Sequence, residues 1–287
     1  MARKTIRSLL KEEKPLVLPG AHDALSALLI KQAGFKGFFI GGFQTAGARH
    51  GLPDIGLCQL GEFGAAFRDM VNACDLPVLV DADNGYGDVK NCVHLLHTYE
   101  RMGISAMFIE DQVAPKRCGH MAGKTVIPAG EMVGKIKAAL DARQGDMALI
   151  CRTDAIAVEG FAAALDRADA YAEAGADMIF VEAPPGQAEL AAVARRYAGK
   201  VPVMANMVEG GRTPMQPASA LEALGYKLVI FPGGTVRALA FALQDYFQSL
   251  KSNGTTTPWR NRMLDFQGIN KLIDTDGFLV RGKSFEG

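Results

Sequence analysis

Asp81 and Asp83 stand two residues apart at the end of the apolar run 77–81. Alternate side chains of an extended chain share a face, so these two carboxylates can hold one hard cation through oxygen. Magnesium or manganese suits the pair, because Mg2+ keeps several waters and takes only one or two carboxylates. No H-x-x-x-H spacing or Cys/His cluster offers the softer donors that zinc prefers. Asp54 and Glu110 are expected behind the pair, holding metal-bound waters. The plainer alternative is a turn, since Asp83-Asn84-Gly85-Tyr86-Gly87 is rich in turn formers.

Cys118 is the second centre. It lies in a connection spanning 112–124, longer than the usual two to six or so residues between strand and helix, and such loops often act as lids. A lone cysteine is normally a small core hydrophobe, but this one sits in a basic, glycine-bearing loop. Lys116, Arg117 and His120 either favour its thiolate or orient its thiol for proton transfer. Cys58, Cys74, Cys92 and Cys151 have apolar neighbours or sit on predicted helices and read as structural. Five cysteines without a C-x-x-C spacing argue against a disulfide framework and a structural zinc site, and fit a reducing cytoplasm.

Eight short apolar runs must position these groups: 15–19, 36–41, 77–81, 104–110, 147–152, 177–182, 201–206 and 227–232. Between them apolar residues recur at helical spacing, as in Phe161-Ala164-Leu165-Ala168, and Gly34, Gly103, Gly175 and Gly225 fall near helix ends. Eight such units predict an α/β fold, a closed (β/α)8 TIM barrel. An open doubly wound sheet would usually show a G-x-G-x-x-G turn after its first strand, and none is present. In a barrel all strand C-termini converge on one mouth. Here they carry Gly41-Gly42, Asp81-Ala82-Asp83, Glu110-Asp111, Arg152-Thr153-Asp154, Glu182, Asn206 and Pro232-Gly233-Gly234-Thr235. Any one of these reads as a helix cap or rim salt bridge, whereas so many polar ends together predict an active site.

The barrel is expected over 1–251. A polar, turn-rich linker from 252 opens a C-terminal helical extension to 287, whose sparse apolar residues Met263, Phe266, Leu272, Ile273 and Phe278 suit docking on another subunit. Lys plus Arg equal Asp plus Glu at 31 each, so no basic field draws nucleic acid or anionic lipid. No apolar run approaches the roughly 18 residues of a membrane span. The basic start, 1–7, leads into Lys11-Glu12-Glu13-Lys14 instead of a signal-peptide core. A soluble, unexported protein is the expectation.

The pentapeptide Lys116-Arg117-Cys118-Gly119-His120 resembles that of the isocitrate lyase/phosphoenolpyruvate mutase superfamily, in its carbon–carbon lyase branch. The resemblance covers nearly the whole chain and includes Pro19-Gly20-Ala21-His22-Asp23, Gly51-Leu52-Pro53-Asp54, 81–87, Glu110-Asp111-Gln112, Arg152-Thr153-Asp154-Ala155, Glu182-Ala183-Pro184 and Ala205-Asn206-Met207. Similarity is greatest to the 2-methylisocitrate lyases and to the dimethylmalate lyase and petal death protein group. The resemblance implies a barrel whose eighth helix is exchanged between subunits, usually in tetramers. It also implies Mg2+-dependent retro-aldol cleavage of a 2-hydroxy di- or tricarboxylate to a 2-keto acid such as pyruvate and a carboxylate. In that scheme Cys118 is the general acid with His120 beside it, and Arg152 neutralises charge on the keto acid. Gly41, Gly42, Phe43, Lys116, Gly119, Glu182, Asn206 and Arg237 line the substrate site.

The chain departs from the family pattern at several points. Ser-Gly after the second strand is Gly41-Gly42 here, which loses a hydroxyl contact, and a tyrosine of some lyases falls on Phe39. Pro-Leu-Ser after the eighth strand is Pro232-Gly233-Gly234. Val208 stands where methylisocitrate lyases carry threonine, which favours the dimethylmalate-like group. Arg237 instead matches an arginine that reads an extra carboxylate in methylisocitrate lyases. Competing readings are oxaloacetate decarboxylation or hydrolysis, which does not need Cys118, and phosphonate chemistry of the carboxyvinyl-carboxyphosphonate phosphorylmutase type. In the latter, Gly233-Gly234-Thr235 would be a barrel phosphate site. A barrel kept only as a binding module is opposed by the intact aspartates and lid cysteine.

Overall fold

The computed structural model describes residues 4–286; Met1, Ala2 and Arg3 of the basic start, and Gly287, lie outside the described residues. Eight parallel strands close in sequence order: β1 Leu16–Ala21, β2 Phe38–Ile40, β3 Val78–Asp81, β4 Ala106–Glu110, β5 Ala148–Thr153, β6 Met178–Val181, β7 Val203–Asn206 and β8 Leu228–Phe231. Closure is through β8 and β1, from Leu16↔Leu228 to Pro19↔Phe231. The strand limits differ from those read in the sequence by up to two residues. Strands buried on both faces read as continuous apolar runs, without an alternation to mark where pairing stops.

Both faces are buried for separate reasons. Leu18, Phe39, Leu79, Phe108, Ile150, Phe180, Met204 and Ile230 point inward and fill the barrel. Their neighbours Ile40, Val80, Ile109, Cys151, Ile179 and Val229 point outward beneath the helices. Each aliphatic or aromatic side chain so buried contributes about 1.5–3 kcal/mol. Ile6 and Leu9 of the helix Ile6–Glu12 join the inner cluster, and the Ile6 amide donates to Ser105 Oγ at 2.7 Å.

The helix Val89–Arg101 shows how the outer layer is specified. Asp88 caps it by accepting from the Lys90 and Asn91 amides, and Cys92, Leu95, Leu96 and Tyr99 form one buried stripe. Losing the cap costs about 1 kcal/mol and Leu95→Ala about 2–5 kcal/mol. The helix is followed by Gly103 at φ 78°, a left-handed turn that glycine adopts freely.

The chain divides into two compact units after Gly234. The sequence places that boundary near 251, but the helix Gly234–Asn253 groups with the C-terminal segment and buries none of its residues, unlike the longer helices between strands. The expected linker is also shorter: the helix runs to Asn253, and a 3-10 turn, Thr257–Arg262, follows directly. In this second unit Trp259 packs edge-on to Tyr246 and beneath the Arg262 guanidinium, 3.9 Å from the ring centroid. The helices Phe266–Leu272 and Thr275–Lys283 complete the extension. Among the described residues no helix is long and apolar enough to cross a membrane.

Candidate active site

Strand periodicity places the site. Two residues beyond an inward core residue the next inward position opens on the mouth. Leu18 thus leads to Gly20, Phe39 to Gly41, Leu79 to Asp81, Phe108 to Glu110, Ile150 to Arg152, Phe180 to Glu182, Met204 to Asn206 and Ile230 to Pro232. Six of these are residues singled out from the sequence: Gly41, Asp81, Glu110, Arg152, Glu182 and Asn206.

Asp83 reaches the site differently from the sequence expectation. β3 stops at Asp81, and Asp83 sits at φ 47°, its amide donating to Asp81 Oδ1 at 2.9 Å. A turn, not the strand pleat, brings the two carboxylates together. The turn is tied down: Asn84 Oδ1 accepts from the Tyr86 amide at 3.2 Å, and buried Lys135 donates to the Asn84 carbonyl at 3.1 Å. Lys116 enters from the long loop, with Nζ 2.5 Å from both Asp54 Oδ1 and Asp83 Oδ1.

Four buried carboxylates, Asp54, Asp81, Asp83 and Glu110, therefore share Lys116 and one edge of Arg152. Burial raises Asp81, pushes Asp83 up to about 7 in spite of Lys116, and lifts Glu110 well above the carboxylate range. Glu110 Oε1 has no hydrogen-bond partner. This excess of hard oxygen suits a divalent cation at Asp81 and Asp83, with Asp54 and Glu110 toward its waters. Among the described residues no group of three His, Cys, Asp or Glu side chains is placed to hold an ion.

Beside this cluster Arg152 is fully committed. Its Nη1 lies 3.0 Å from Glu110 Oε2, its Nε 2.9 Å from Asp154 Oδ2, and its Nη2 donates to Asp154 Oδ1 at 3.0 Å. The guanidinium rests over the rings of Phe180 and Phe108, 5.3 and 5.8 Å from their centroids. Burial alone would raise Glu182, but Arg152 and then His120 outweigh it and hold Glu182 at about 2. His120 Nδ1 accepts from the Arg212 amide at 2.9 Å, so Nε2 is the ring nitrogen that presents a proton to Glu182 Oε1, 2.9 Å away. Asn206 Nδ2 donates to both oxygens of Glu182 at 3.2–3.3 Å, while its own Oδ1 has no partner.

The long loop lies closed over this half. Its base is joined by the Gln112↔Val126 bridge, and the Gln112 carboxamide spans the Arg117 amide and carbonyl at 2.9 and 2.8 Å. The Cys118 amide donates to the Asp54 carbonyl at 3.1 Å. Buried Lys124 donates to the Gly119 carbonyl and, at 2.7 Å, to Asp154 Oδ1. A methyl group on Gly119 would collide with Arg152 Nη2 and Glu182 Oε1. Burial pushes the half-exposed Cys118 thiol up, and Asp54 adds to the effect, so the thiol keeps its proton. Lys116 is spent on carboxylates and Arg117 on the Ala122 carbonyl. Of the two alternatives, burial favours the thiol over the thiolate.

Other expectations fare unevenly. Gly41 and Gly42 are buried at the mouth, but the Gly42 amide turns toward Asp81 Oδ2 at 3.4 Å, and Phe43 is exposed. Arg237 belongs to the second unit, on the helix after β8. The Gly233 amide donates to Glu209 Oε2 at 3.2 Å, so the chain's own carboxylate takes a donor that the phosphate reading needs. Lys124 is a residue of this mouth that sequence reasoning misses, and Asp154 and Gln112 are named there only within motifs, without a role. The two-residue spacing of Arg152 and Asp154 is the available sign that one carboxylate serves both arginine and loop.

Residues 6–251 match the family model described as phosphoenolpyruvate phosphomutase. The chain is 40% identical over 269 residues to 2,3-dimethylmalate lyase of Eubacterium barkeri, covering 93% of this chain and 92% of that one. It is likewise 40% identical over 269 residues to 2-methylisocitrate lyase of Bacillus subtilis (strain 168), covering 94% and 87%. Among solved structures, oxaloacetate acetylhydrolase in complex with 3,3-difluorooxalacetate superposes with a TM-score of 0.92 at 28% identity, covering 98% and 96%. The chain, a closed parallel barrel with curated lyases as relatives, belongs to the phosphoenolpyruvate mutase/isocitrate lyase superfamily and is itself a lyase.

Proposed function

We propose that the chain is a Mg2+-dependent (or Mn2+-dependent) carbon–carbon lyase acting on a 2-hydroxy di- or tricarboxylate of the 2-alkylmalate or 2-methylisocitrate type. The products are a 2-oxo acid such as pyruvate and a second carboxylate, and Cys118 is the general acid. The observation that carries the reading is the seating of the Cys118 loop over Arg152 and Glu182, with burial favouring the neutral thiol. Asp81 and Asp83 would hold the cation, which would supply the Lewis acidity that lowers the pKa of the substrate hydroxyl and the charge that offsets its carboxylate. The hydroxyl passes its proton to a base at the mouth, its C–O bond becomes a carbonyl, and the adjacent C–C bond breaks; that proton restores the Cys118 thiol once its own has been delivered. The bonding pair passes to the departing fragment as an aci-carboxylate, and Cys118 S–H delivers a proton to its carbon. Arg152 balances charge on the 2-oxo portion. Glu182, held ionised, keeps Arg152 and His120 in place, and the closed loop excludes water.

The same reading includes association with further copies of the chain, as a homotetramer, supported by exposed Phe241, Phe266 and Phe278 in the second unit. It also includes a cytoplasmic setting, supported by five free cysteines. A second reading, cleavage of oxaloacetate, is favoured by the likeness to oxaloacetate acetylhydrolase. Incubation with Mg2+ and 2-alkylmalates, 2-methylisocitrate, isocitrate, oxaloacetate or phosphonopyruvate separates the two. Pyruvate or glyoxylate released from a hydroxy acid supports the lyase; turnover of oxaloacetate alone supports the alternative.

A further inference from the structure

Two of the inward positions at the mouth, Gly20 and Gly41, have no side chain, yet their sector is filled by the carboxamide of Gln44. A Cβ built on Gly41 would lie 2.6 Å from Gln44 Oε1, and one on Gly20 would lie 3.0 Å from Gln44 Nε2. Gln44 sits on the short helix Gly42–Thr45 that follows β2, and is 1% exposed. Its Nε2 has no hydrogen-bond partner. The Gly42 amide turns toward Asp81, and the Gly41 carbonyl accepts from Thr45 at 3.3 Å.

A buried amide donor without a protein partner is unfavourable unless something else pairs with it. An apolar side chain of the same size would fill the space without that penalty. We propose that Gln44 is a substrate-binding residue, whose Nε2, on the Gly20 side of the Gly20–Gly41 sector, donates to a carboxylate oxygen of the 2-oxo acid portion. This rests on the lyase reading only for the identity of that portion. A neutral carboxamide suits the position physically. It adds donors beside Asp81 and Asp83 without adding to their negative charge, as glutamate would, and without competing for them as a second cation would.

The test is calorimetric titration of oxalate, a compact dianion resembling the 2-oxo acid enolate, into Mg2+-loaded wild type, Gln44→Met and Gln44→Glu. Methionine keeps the volume and removes the donor; glutamate replaces the donor with an anion. Oxalate should bind about tenfold more weakly to Gln44→Met and weaker still to Gln44→Glu, a loss of about 1.4 kcal/mol per factor of ten. Binding of Mn2+ alone and the melting temperature of Gln44→Met should stay at wild-type values, and KM should rise more than kcat falls. Oxalate affinity of Gln44→Met within twofold of wild type overturns the proposal, as does an equal loss of Mn2+ and oxalate binding. The titration needs no turnover. Failure of every 2-hydroxy acid to react would therefore sink the lyase reading while leaving the donor role measurable.

Discussion

Two halves of one mouth treat buried acid oppositely. Around β3 and β4, Asp54, Asp81, Asp83 and Glu110 face Lys116 and part of Arg152, and burial drives Asp83 to about 7 and Glu110 well above its range. Around β5 to β7, Asp154 and Glu182 face Arg152, Lys124 and His120, and Glu182 is held at about 2. Depth of burial is alike in both, so the supply of cations makes the difference. The first half is short of positive charge and suited to receive a metal. The second is complete, and its partners fix an arginine and a loop before any ligand arrives.

Removing a carboxylate from the first half should therefore destroy chemistry without harming the fold. Asp81→Ala should lower turnover by about four orders of magnitude or more, while thermal melts of the metal-free protein stay near wild type. Full activity after exhaustive chelation would contradict this. Next in size comes the proton donor that spans the halves. Cys118→Ser should lower kcat about a thousandfold, about 4 kcal/mol in barrier, because a hydroxyl is a far weaker acid, with oxalate binding little changed. Retention of more than about a tenth of kcat would favour oxaloacetate cleavage, where solvent can supply the proton.

Breaking the second half should loosen geometry before it removes chemistry. Lys124→Met frees the Gly119 carbonyl and should lower kcat/KM by about 10- to 100-fold, with faster alkylation of Cys118 in the oxalate-bound enzyme; Lys124→Arg should restore part of both. Unchanged alkylation would show that Lys124 does not hold the loop. The smallest effect is on acid stability. Because Glu182 is held near 2, below its ordinary 4.5, its contribution to stability is present above about pH 4.5 and is lost as pH falls toward 2. A carboxamide cannot titrate, so Glu182→Gln should flatten the loss of melting temperature across that window. An identical acid profile in the variant would rule out this linkage.

The legible parts are those written in local pattern. Eight apolar runs specify the barrel, and polar residues at their ends mark most of the mouth, because inward and outward faces follow from alternation alone. Asp83 is legible for an incomplete reason, since a left-handed turn does the placing and sequence spacing cannot distinguish that from a continued strand. Gln44 and Lys124 escape a sequence reading because their meaning depends on distant neighbours: two glycines on β1 and after β2 in one case, the end of β5 in the other. The grouping of the helix Gly234–Asn253 with the C-terminal segment is not legible from its spacing, which is helical like the others; its lack of burial is what goes with it.

The close seating of Gly119 has a stereochemical consequence. A planar aci-carboxylate has two faces, and a thiol carried on an immobilised loop can reach only one of them, so a reaction run in 2H2O should leave deuterium in a single configuration at the new C–H centre of an alkyl carboxylate product. Any side chain at position 119 would strike Arg152 and Glu182 and keep the loop from seating. Gly119→Ala should then admit solvent as a rival donor and turn a single-handed label into a mixture, even where enough turnover survives to measure it.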